Sequence, residues 1–321
     1  MPFARLVFTA ILGPPVLVGA ILCAAAAGLA QLGRRSVAWD VLAHAAPIYL
    51  AGGLVALACG LAFHDRYRPL TLVAGGAAVI AAALLMAPEY LRATGPKAAA
   101  DAPGAFKLIQ FNIWGGEGGV RQPVAWLAAQ HPDVVVMQET NRRVREAVVA
   151  GTGLHMTLSR SNVAIFSREP PVSVLRMSTE REGPMFLVGA TFRTPAGDAD
   201  ILGVHYPWPT ERDRLVQAAD LIGVVNSHPA ATTILSGDFN STPWSFTRRR
   251  EDAAFRLTRR TRAMFSWPAW RNLPLPLMPI DHVYAGDAWA TVSVTRGPKL
   301  GSDHYPVVVI LAPRAPPPAS P

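Results

Sequence analysis

The chain has 321 residues, half of them hydrophobic and only 16% of them charged, with a formal net charge of +8. This length can form one sizeable domain and a further segment. The composition excludes a chain that consists only of an ordinary soluble domain, because the apolar excess is concentrated in residues 1–93.

Three long and nearly uncharged segments, at 6–30, 41–63 and 70–87, account for this excess. Each is close to the ~20 apolar residues that cross a bilayer as an α-helix. None has the polar face that a bundle of soluble helices needs. A cleaved signal peptide would explain only the first segment, whose apolar stretch is long for that role. We therefore predict a multi-pass membrane domain over 1–93 with three transmembrane helices.

The charges flanking these helices do not define their orientation. Arg5, Arg66 and Arg68 fall on one side, and Arg34, Arg35, Arg92 and Lys97 fall on the other. The positive-inside rule needs a clearer imbalance than this. Both cysteines lie inside predicted spans, so the rest of the chain suits an oxidising or a reducing compartment equally.

Residues 94–104 are rich in Gly, Pro and Ala with isolated charges, a composition that predicts a linker. A second domain is predicted over 105–312. The proline-rich residues 313–321 are predicted to form a disordered tail.

Within the second domain, short β-rich runs alternate with turns and a few helical patterns. Strands are predicted at 106–111, 133–137, 163–166, 185–192, 201–204, 232–235, 280–284, 290–295 and 307–311, and helices at 123–129, 142–150 and 211–227. A single doubly wound sheet would need a helix at nearly every crossover. The pattern therefore predicts an α/β fold with two packed sheets and helices outside them.

Residues 236–240, Ser-Gly-Asp-Phe-Asn, follow the predicted buried strand at 232–235. Asp238 and Asn240 therefore emerge at the carboxyl end of a strand, where α/β proteins usually keep their chemistry. Residues two apart in extended backbone point the same way. A carboxylate beside a carboxamide suits the activation of water next to an oxyanion, although Gly-Asp-x-Asn is also ordinary turn chemistry.

Further polar residues also lie at the ends of predicted strands: Asn112, Glu139, His205, Asp281, Asp303 and His304. Each alone has a structural explanation as a turn residue, a helix N-terminal acid or a satisfied histidine. Together they are carboxylates, amides and imidazoles with no serine or cysteine nucleophile among them. The set predicts one hydrophilic site.

In the order and spacing of these blocks, the chain resembles the endonuclease/exonuclease/phosphatase superfamily. The resemblance is carried by Phe111-Asn112-Ile113-Trp114, Gln138-Glu139-Thr140, residues 161–168, His205, residues 236–240, Ile280-Asp281-His282-Val283 and Ser302-Asp303-His304. It covers 106–311. It implies a four-layered α/β sandwich and a divalent-metal-dependent phosphoesterase. Pancreatic-type deoxyribonucleases, abasic-site endonucleases, neutral sphingomyelinases and inositol polyphosphate 5-phosphatases belong to this superfamily.

The resemblance implies a metal site with Glu139 as the main ligand and with Asn112 and Asp303 near the metal. The implied cofactor is Mg²⁺, with Mn²⁺ as an alternative. A hard cation held by few carboxylates and waters supplies the charge neutralisation and positioning that displacement at phosphorus needs.

The resemblance also assigns catalytic roles. Asp238 would position the attacking water, and Asn240 would donate to a phosphate oxygen. His304, oriented by Asp281, would be the general base or a phosphate contact. His205 would hydrogen-bond the phosphate or assist the leaving group; abasic-site endonucleases usually carry tyrosine there, which makes abasic-site repair a poorer match.

The layout of three spans followed by this domain is similar to a membrane-anchored bacterial branch that includes teicoplanin-resistance proteins. The residues 266–268 and 273–279 that lead into Asp281 add to this similarity. The resemblance implies a catalytic domain outside the cytoplasmic membrane.

Two features beside the site bear on the substrate. An arginine-rich run comprises Arg248, Arg249, Arg250, Arg256, Arg259, Arg260, Arg262 and Arg271; an apolar group comprises Phe265, Trp267, Trp270, Leu273, Leu275, Leu277 and Met278. The arginines suit nucleic-acid phosphates, anionic head groups or a solvated surface equally. The apolar group is typical of a core, but beside the site it suits an acyl or prenyl chain.

The leading expectation is a membrane-bound, Mg²⁺-dependent phosphoesterase that acts on a phosphorylated or pyrophosphorylated lipid at the membrane surface. The first alternative is a membrane-anchored nuclease that acts on DNA. The second is an inactive binding module, which is disfavoured because every expected catalytic residue type is present.

Overall fold

The computed structural model describes residues 2–64, 66–158, 161–175, 186–211, 214–270 and 276–314. The chain divides into two compact units. The helical unit comprises Met1–Arg92 and Thr242–Arg250, and the sheet unit comprises Ala93–Ser241 and Glu251–Pro321. Residues 242–250 lie inside the range 105–312 that the sequence predicts as one domain, and the structure differs from that prediction at this segment.

Among the described residues of its N-terminal part, the helical unit has the α-helices α1 (Pro2–Ala30), α2 (Val37–Asp40), α3 (Ala46–Ala62) and α4 (Tyr67–Leu91). With their 3₁₀ extensions they form three stretches long and apolar enough to cross a membrane, at Val7–Arg34, Val37–Ala62 and Tyr67–Leu91. These overlap the three predicted spans. The three long apolar helices near the N-terminus suggest a membrane anchor.

Small residues allow these helices to approach closely. A Cβ atom at Gly53 would lie 2.9 Å from the carbonyl oxygen of Gly75, so α3 and α4 meet backbone to backbone. Large apolar side chains point outward instead; Leu61 is 67% exposed and Val73 is 73% exposed. A soluble bundle would bury these side chains, whereas hydrocarbon accepts them.

In the part of the sheet unit that the structure describes there are twelve strands. They are β1 (Phe106–Asn112), β2 (Val134–Gln138), β3 (His155–Leu158), β4 (Ala164–Ser167), β5 (Ser173–Val174), β6 (Phe186–Thr194), β7 (Gly197–His205), β8 (Ile234–Asp238), β9 (Thr258–Arg259), β10 (Asp281–Ala285), β11 (Trp289–Arg296) and β12 (Val307–Pro313). The helices are α5 (Arg121–Gln130), α6 (Arg142–Thr152), α7 (Arg214–Asn226) and α8 (Phe246–Ala254), the last of which begins in the helical unit.

The strands form two six-stranded sheets. The first has the order β11-β12-β1-β2-β4-β3 and the second the order β5-β6-β7-β8-β10-β9. In β2, Val134 and Val136 face the core between the sheets, whereas Val135 and Met137 face the core under α5 and α6. This explains the continuous apolar run, because a strand covered on both faces needs no polar side.

Helix α7 covers the outer face of the second sheet through a third core, which contains Ala218, Leu221 and Val225. The order of layers is therefore helices, sheet, sheet, helix, and the predicted four-layered α/β sandwich is confirmed.

Several local expectations changed. Residues of the predicted linker pair with β11, since the N–H of Thr291 donates to Pro96 O at 2.8 Å and the N–H of Ala98 donates to Thr291 O at 3.0 Å. The sequence did not predict the short strands β3, β5 and β9, nor helix α8. Most of the predicted tail, from residue 315 onward, lies outside the described residues.

Candidate active site

Strand register brings the polar residues together. Asn112 pairs with Gln138 across the parallel strands β1 and β2, so Glu139 follows immediately beside Asn112. In the second sheet, Asp238 pairs with His205 of β7 on one side and with Asp281 of β10 on the other. The ends of both sheets thus present acidic, amide and imidazole side chains at one place.

Asn112 links the two sheets through its amide nitrogen. Its Nδ2 atom donates to Glu139 Oε1 at 2.9 Å and to Asp238 Oδ2 at 3.0 Å. Its Oδ1 atom accepts from the backbone N–H of Trp114 at 2.9 Å. As placed, Asn112 orients two carboxylates, and its oxygen is already engaged.

His304 is buried, and three aspartates lie within 4.0 Å of its ring nitrogens. Its Nδ1–H donates to Asp281 Oδ2 at 2.8 Å, and its Nε2 atom lies 3.6 Å from Asp238 Oδ2 and 4.0 Å from Asp303 Oδ1. Burial lowers the pKa of His304, but the carboxylates of Asp281 and Asp238 more than offset this effect and raise it to about 10. The surrounding carboxylates therefore favour the protonated form of this ring.

Asp238 is buried at the centre of this arrangement. Burial raises the pKa of its carboxyl group, His304 opposes that rise, and the neighbouring Asp281 adds to it. Asp238, Asp281 and His304 each offer a ligand atom within 4.8 Å of the others, a geometry that could hold a metal ion.

His205 and Asn240 also lie beside Asp238. The Nε2 atom of His205 is 3.8 Å from both Glu139 Oε1 and Asp238 Oδ2. The backbone N–H of Asn240 donates to Asp238 Oδ1 at 2.8 Å, and its side-chain nitrogen donates to Tyr206 O at 2.8 Å and lies 3.4 Å from His205 Nε2. The structure thus places both residues beside Asp238.

The two carboxylate oxygens of Asp303 differ in their hydrogen bonding. Oδ2 accepts from the indole N–H of Trp267 at 3.1 Å, whereas the buried Oδ1 accepts no hydrogen bond. Burial raises the pKa of this carboxyl group; His304 and the hydrogen bond from Trp267 oppose that rise, and Glu139 adds to it. A buried carboxylate oxygen without a donor, close to a second carboxylate, fits a divalent cation.

Three residues at the site adopt the left-handed conformation that favours glycine. Trp114 has φ 52°, Glu139 has φ 55° and Asn240 has φ 47°. Such conformations persist only where the surroundings impose them, and they cluster at functional sites. Here they turn the chain directly after β1, β2 and β8.

The site also rests on buried residues that sequence analysis missed. Gln110 of β1 donates to Asp281 Oδ1 at 3.1 Å and to Gln138 Oε1 at 2.5 Å, and it accepts from Ser236 Oγ at 3.0 Å. Ser302 donates to the carbonyl oxygen of Asn112 at 2.7 Å. The available signal for Gln110 was a polar residue at an inward position of an apolar strand.

Part of the arginine-rich run has a structural role. Arg248, Arg259 and Arg260 are buried, Arg249 is half-buried, and Arg250, Arg256 and Arg262 are exposed; Arg271 lies outside the described residues, as do Leu273 and Leu275. Arg260 donates to the carbonyl oxygens of Ala285, Gly286 and Trp289. Guanidinium groups used in this way are not available to phosphates.

Comparison with known protein families identifies the class of this protein as a phosphoester hydrolase. The model of the Endonuclease/Exonuclease/phosphatase family matches residues 109–304. Because this match covers more than half of the chain, the protein belongs to that family. Its members generally use a divalent metal, and the carboxylates and imidazole described above fit one.

Solved structures share the fold. An endonuclease/exonuclease/phosphatase from Bacteroides vulgatus is 15% identical and superposes with a TM-score of 0.55, covering 65% of this chain and 99% of that one. An AP endonuclease from Archaeoglobus fulgidus is 20% identical with a TM-score of 0.52, covering 64% and 98%. A mannosyl-6-phosphatase from Bacteroides thetaiotaomicron is 16% identical with a TM-score of 0.52, covering 64% and 99%. A comparison with curated proteins found no match.

Proposed function

We propose that the protein is a membrane-anchored, Mg²⁺-dependent phosphoesterase that hydrolyses a phosphorylated or pyrophosphorylated lipid at the membrane surface. The observation that carries this proposal is the presence, in one chain, of three apolar helices and a site of carboxylates, amides and imidazoles. The proposed reaction is hydrolysis, with a water molecule oriented by Asp238 as the nucleophile.

The metal ligands in this proposal are Glu139 and Asp303, with Asn112 orienting Glu139. The buried Oδ1 atom of Asp303, which accepts no hydrogen bond, supports this choice. A bound Mg²⁺, or Mn²⁺ in its place, would neutralise the phosphate charge and polarise the bond to the leaving group. Asp281 and His304 are already engaged with each other at 2.8 Å, so they serve proton handling in this proposal.

The proposal assigns Asp238 to orient the attacking water. Asp238 Oδ2 faces His304 Nε2 at 3.6 Å and His205 Nε2 at 3.8 Å, so a water held there meets both rings. The raised pKa of His304 supports a role as a general acid, whose protonated ring donates to the phosphate, rather than as a general base. Asn240 and His205 would then donate to the remaining phosphate and leaving-group oxygens.

An exposed tryptophan cluster supports a lipid substrate. Trp267 holds Asp303, and its ring contacts Trp208 and Trp270 at centroid distances of 5.5 and 5.8 Å. Trp208 is 43% exposed and Trp270 is 50% exposed, an uncommon state for such large rings. Amphipathic rings of this kind suit the membrane interface and an acyl or prenyl chain. The burial of Arg248, Arg259 and Arg260 removes three arginines of the run from any nucleic-acid surface.

A cell-membrane location with the sheet unit outside the cytoplasm is part of this proposal. It rests on the similarity of layout to teicoplanin-resistance proteins. Fusion of a periplasm-dependent phosphatase after residue 314 should give activity in cells, and a cytoplasm-dependent fluorescent reporter at the same position should stay dark. The reverse pattern would contradict the proposed orientation.

The deciding experiment is a substrate panel with detergent-purified protein and Mg²⁺. We expect phosphate release from long-chain lipid phosphates or pyrophosphates, and little hydrolysis of inositol phosphates or plasmid DNA. The Asp238→Asn variant controls for contaminating enzymes. Salt-sensitive, Mg²⁺-dependent nicking of plasmid DNA without lipid turnover would instead establish the nuclease alternative.

A further inference from the structure

The segment Thr242–Arg250 connects two parts of the sheet unit in sequence but belongs to the helical unit in space. Its first residue comes two positions after Asn240, within the loop that follows β8. The helical unit therefore contains the direct continuation of the chain that carries Asp238 and Asn240.

Asp40, at the end of α2, caps the start of α8. Its Oδ1 atom accepts from the backbone N–H of Phe246 and its Oδ2 atom from that of Thr247, both at 2.7 Å. The first amides of a helix have no acceptor within the helix, and a carboxylate also complements the helix dipole there. Asp40 is only 3% exposed, so its side chain contacts this segment rather than solvent.

His44 binds the other end of the segment. Its Nδ1 atom accepts from the backbone N–H of Thr242 at 3.1 Å and lies 2.9 Å from Thr242 Oγ1. A backbone N–H can only donate, so Nδ1 carries no proton and the imidazole is neutral. Its backbone carbonyl also lies 3.5 Å from the indole nitrogen of Trp244.

The surrounding helices are shaped around these contacts. A Cβ atom at Gly33 would lie 2.8 Å from Asp40 Cα and 2.9 Å from the ring of Phe246, so only glycine fits there. Asp40 and His44 lie in a stretch apolar enough to cross a membrane, where ionisable residues are costly and are retained for function. An anchor alone needs neither side chain.

We propose that Asp40 and His44 are positioning residues for the hydrolytic reaction, acting through the loop that carries Asn240. Consecutive backbone groups of this loop are fixed: the N–H of Asn240 by Asp238, the carbonyl of Ser241 by His282 Nε2 at 2.9 Å, and the N–H of Thr242 by His44. The left-handed conformation of Asn240 requires this constraint. The helical unit thereby becomes a requirement for turnover. This inference rests on the proposed function.

The test uses full-length protein in detergent, Mg²⁺ and the water-soluble diester bis(p-nitrophenyl) phosphate, so that membrane partitioning plays no part. Asp40→Ala and His44→Leu should each lower kcat by up to ~10²-fold, because small misplacements of catalytic groups have effects of that size. KM and the Mg²⁺ concentration for half-maximal rate should stay within about twofold, since Glu139 and Asp303 follow other strands.

Two variants separate positioning from general damage. His44→Asn retains an acceptor where Nδ1 lies and should recover most of the lost kcat. Gln31→Ala removes a different interhelical hydrogen bond of the same unit, from Gln31 Nε2 to Ala81 O at 3.0 Å, and should leave kcat unchanged. Equal losses in Gln31→Ala and His44→Leu would overturn the proposal.

Amide hydrogen exchange provides a readout that needs no activity. Asp40→Ala should deprotect the amides of Phe246 and Thr247, and His44→Leu that of Thr242. Lost protection with kcat within twofold of wild type would overturn the positioning role, and unchanged protection would show that the contacts are not made. If these variants do not fold, Asp40→Asn and Thr242→Val replace them, and wild-type kcat in both would equally overturn it.

Discussion

Asn112 on β1 donates a hydrogen bond from Nδ2 to Oδ2 of Asp238 on β8, 3.0 Å away, and so connects the first sheet to the second. The same nitrogen donates to Glu139 at 2.9 Å. One neutral donor thus sets the spacing of the two carboxylates to which the proposal assigns the metal and the water.

Replacing this donor should loosen both carboxylates. We expect Asn112→Ala to lower kcat/KM by about 10–100-fold, the usual cost of losing a partner that orients ligand groups. Asn141→Ala is the control, because Asn141 caps α6 and also donates to Gly115 O, outside the carboxylate cluster. Wild-type activity in a folded Asn112→Ala protein would contradict the role assigned to this link.

Metal removal should abolish hydrolysis, and Mg²⁺ or Mn²⁺ should restore it. Trp267→Phe keeps the ring contact with Trp208 but removes the N–H that holds Asp303, so the Mg²⁺ concentration for half-maximal rate should rise roughly tenfold or more. Trp208→Phe removes no bond to Asp303 and should leave that concentration unchanged. Full activity after rigorous chelation would refute the metal site.

Removal of the proton-handling and water-orienting groups should affect turnover most. Asp238→Asn and His304→Gln should each lower kcat by about 10²–10⁴-fold, the range for general acid–base catalysis. Cys23→Ala, in α1, is the control and should have little effect. A folded His304→Gln protein with near wild-type kcat would show that the Asp281–His304 pair is not used.

The charge state of His304 makes the stability of the metal-free protein depend on pH. The folded-state pKa of about 10 lies above the ordinary value of 6.5, so the stabilising contribution is fully present below pH 6.5 and is lost as the pH rises toward 10. Unfolding temperatures measured across this window in chelator should fall, and they should fall less in His304→Gln. Identical profiles for the two proteins would disprove the buried imidazolium.

The tryptophan cluster should act on chain length rather than on phosphate. Each CH₂ group that is buried contributes about 0.8 kcal/mol of favourable free energy. Burying even a few carbons of a lipid chain against the tryptophans would therefore dominate the affinity for the substrate. Trp208→Ala and Trp270→Ala should raise KM for a long-chain lipid phosphate and leave KM for a short-chain analogue unchanged. If both chain lengths respond alike, the cluster does not bind the chain.

Local patterns in the sequence were sufficient to predict the sandwich fold and the clustering of the site residues. Asp238 and Asn240 follow a strong apolar strand, and the register of β7, β8 and β10 then places His205 and Asp281 beside Asp238. Gln110 escaped notice because its partners come from three different strands, and no local pattern specifies such a network.

The contacts of Asp40 could not be predicted from the sequence either, because they also join residues that are far apart in the chain. Its partners Phe246 and Thr247 are 206 and 207 positions away, and a buried acid in an apolar helix carries no sign of which amides it will bind. The arginine run shows the reverse case, in which the sequence predicted an exposed surface and the structure buries some of the residues. Charge suggested a surface, whereas Arg260 lies buried against carbonyl oxygens that only the folded chain assembles.

Because β1 pairs with β12, the first sheet cannot be completed until late in the synthesis of the chain. Phe106 lies opposite Leu311, so the first strand of the sandwich acquires one of its two neighbours only when the last strand has been synthesised. Until then β1 presents an open edge, the kind of surface that recruits other strands and promotes aggregation. A ribosome stalled before Val307 would hold every proposed catalytic residue and still lack a complete first sheet, so the sandwich can form fully only after β12 has been synthesised.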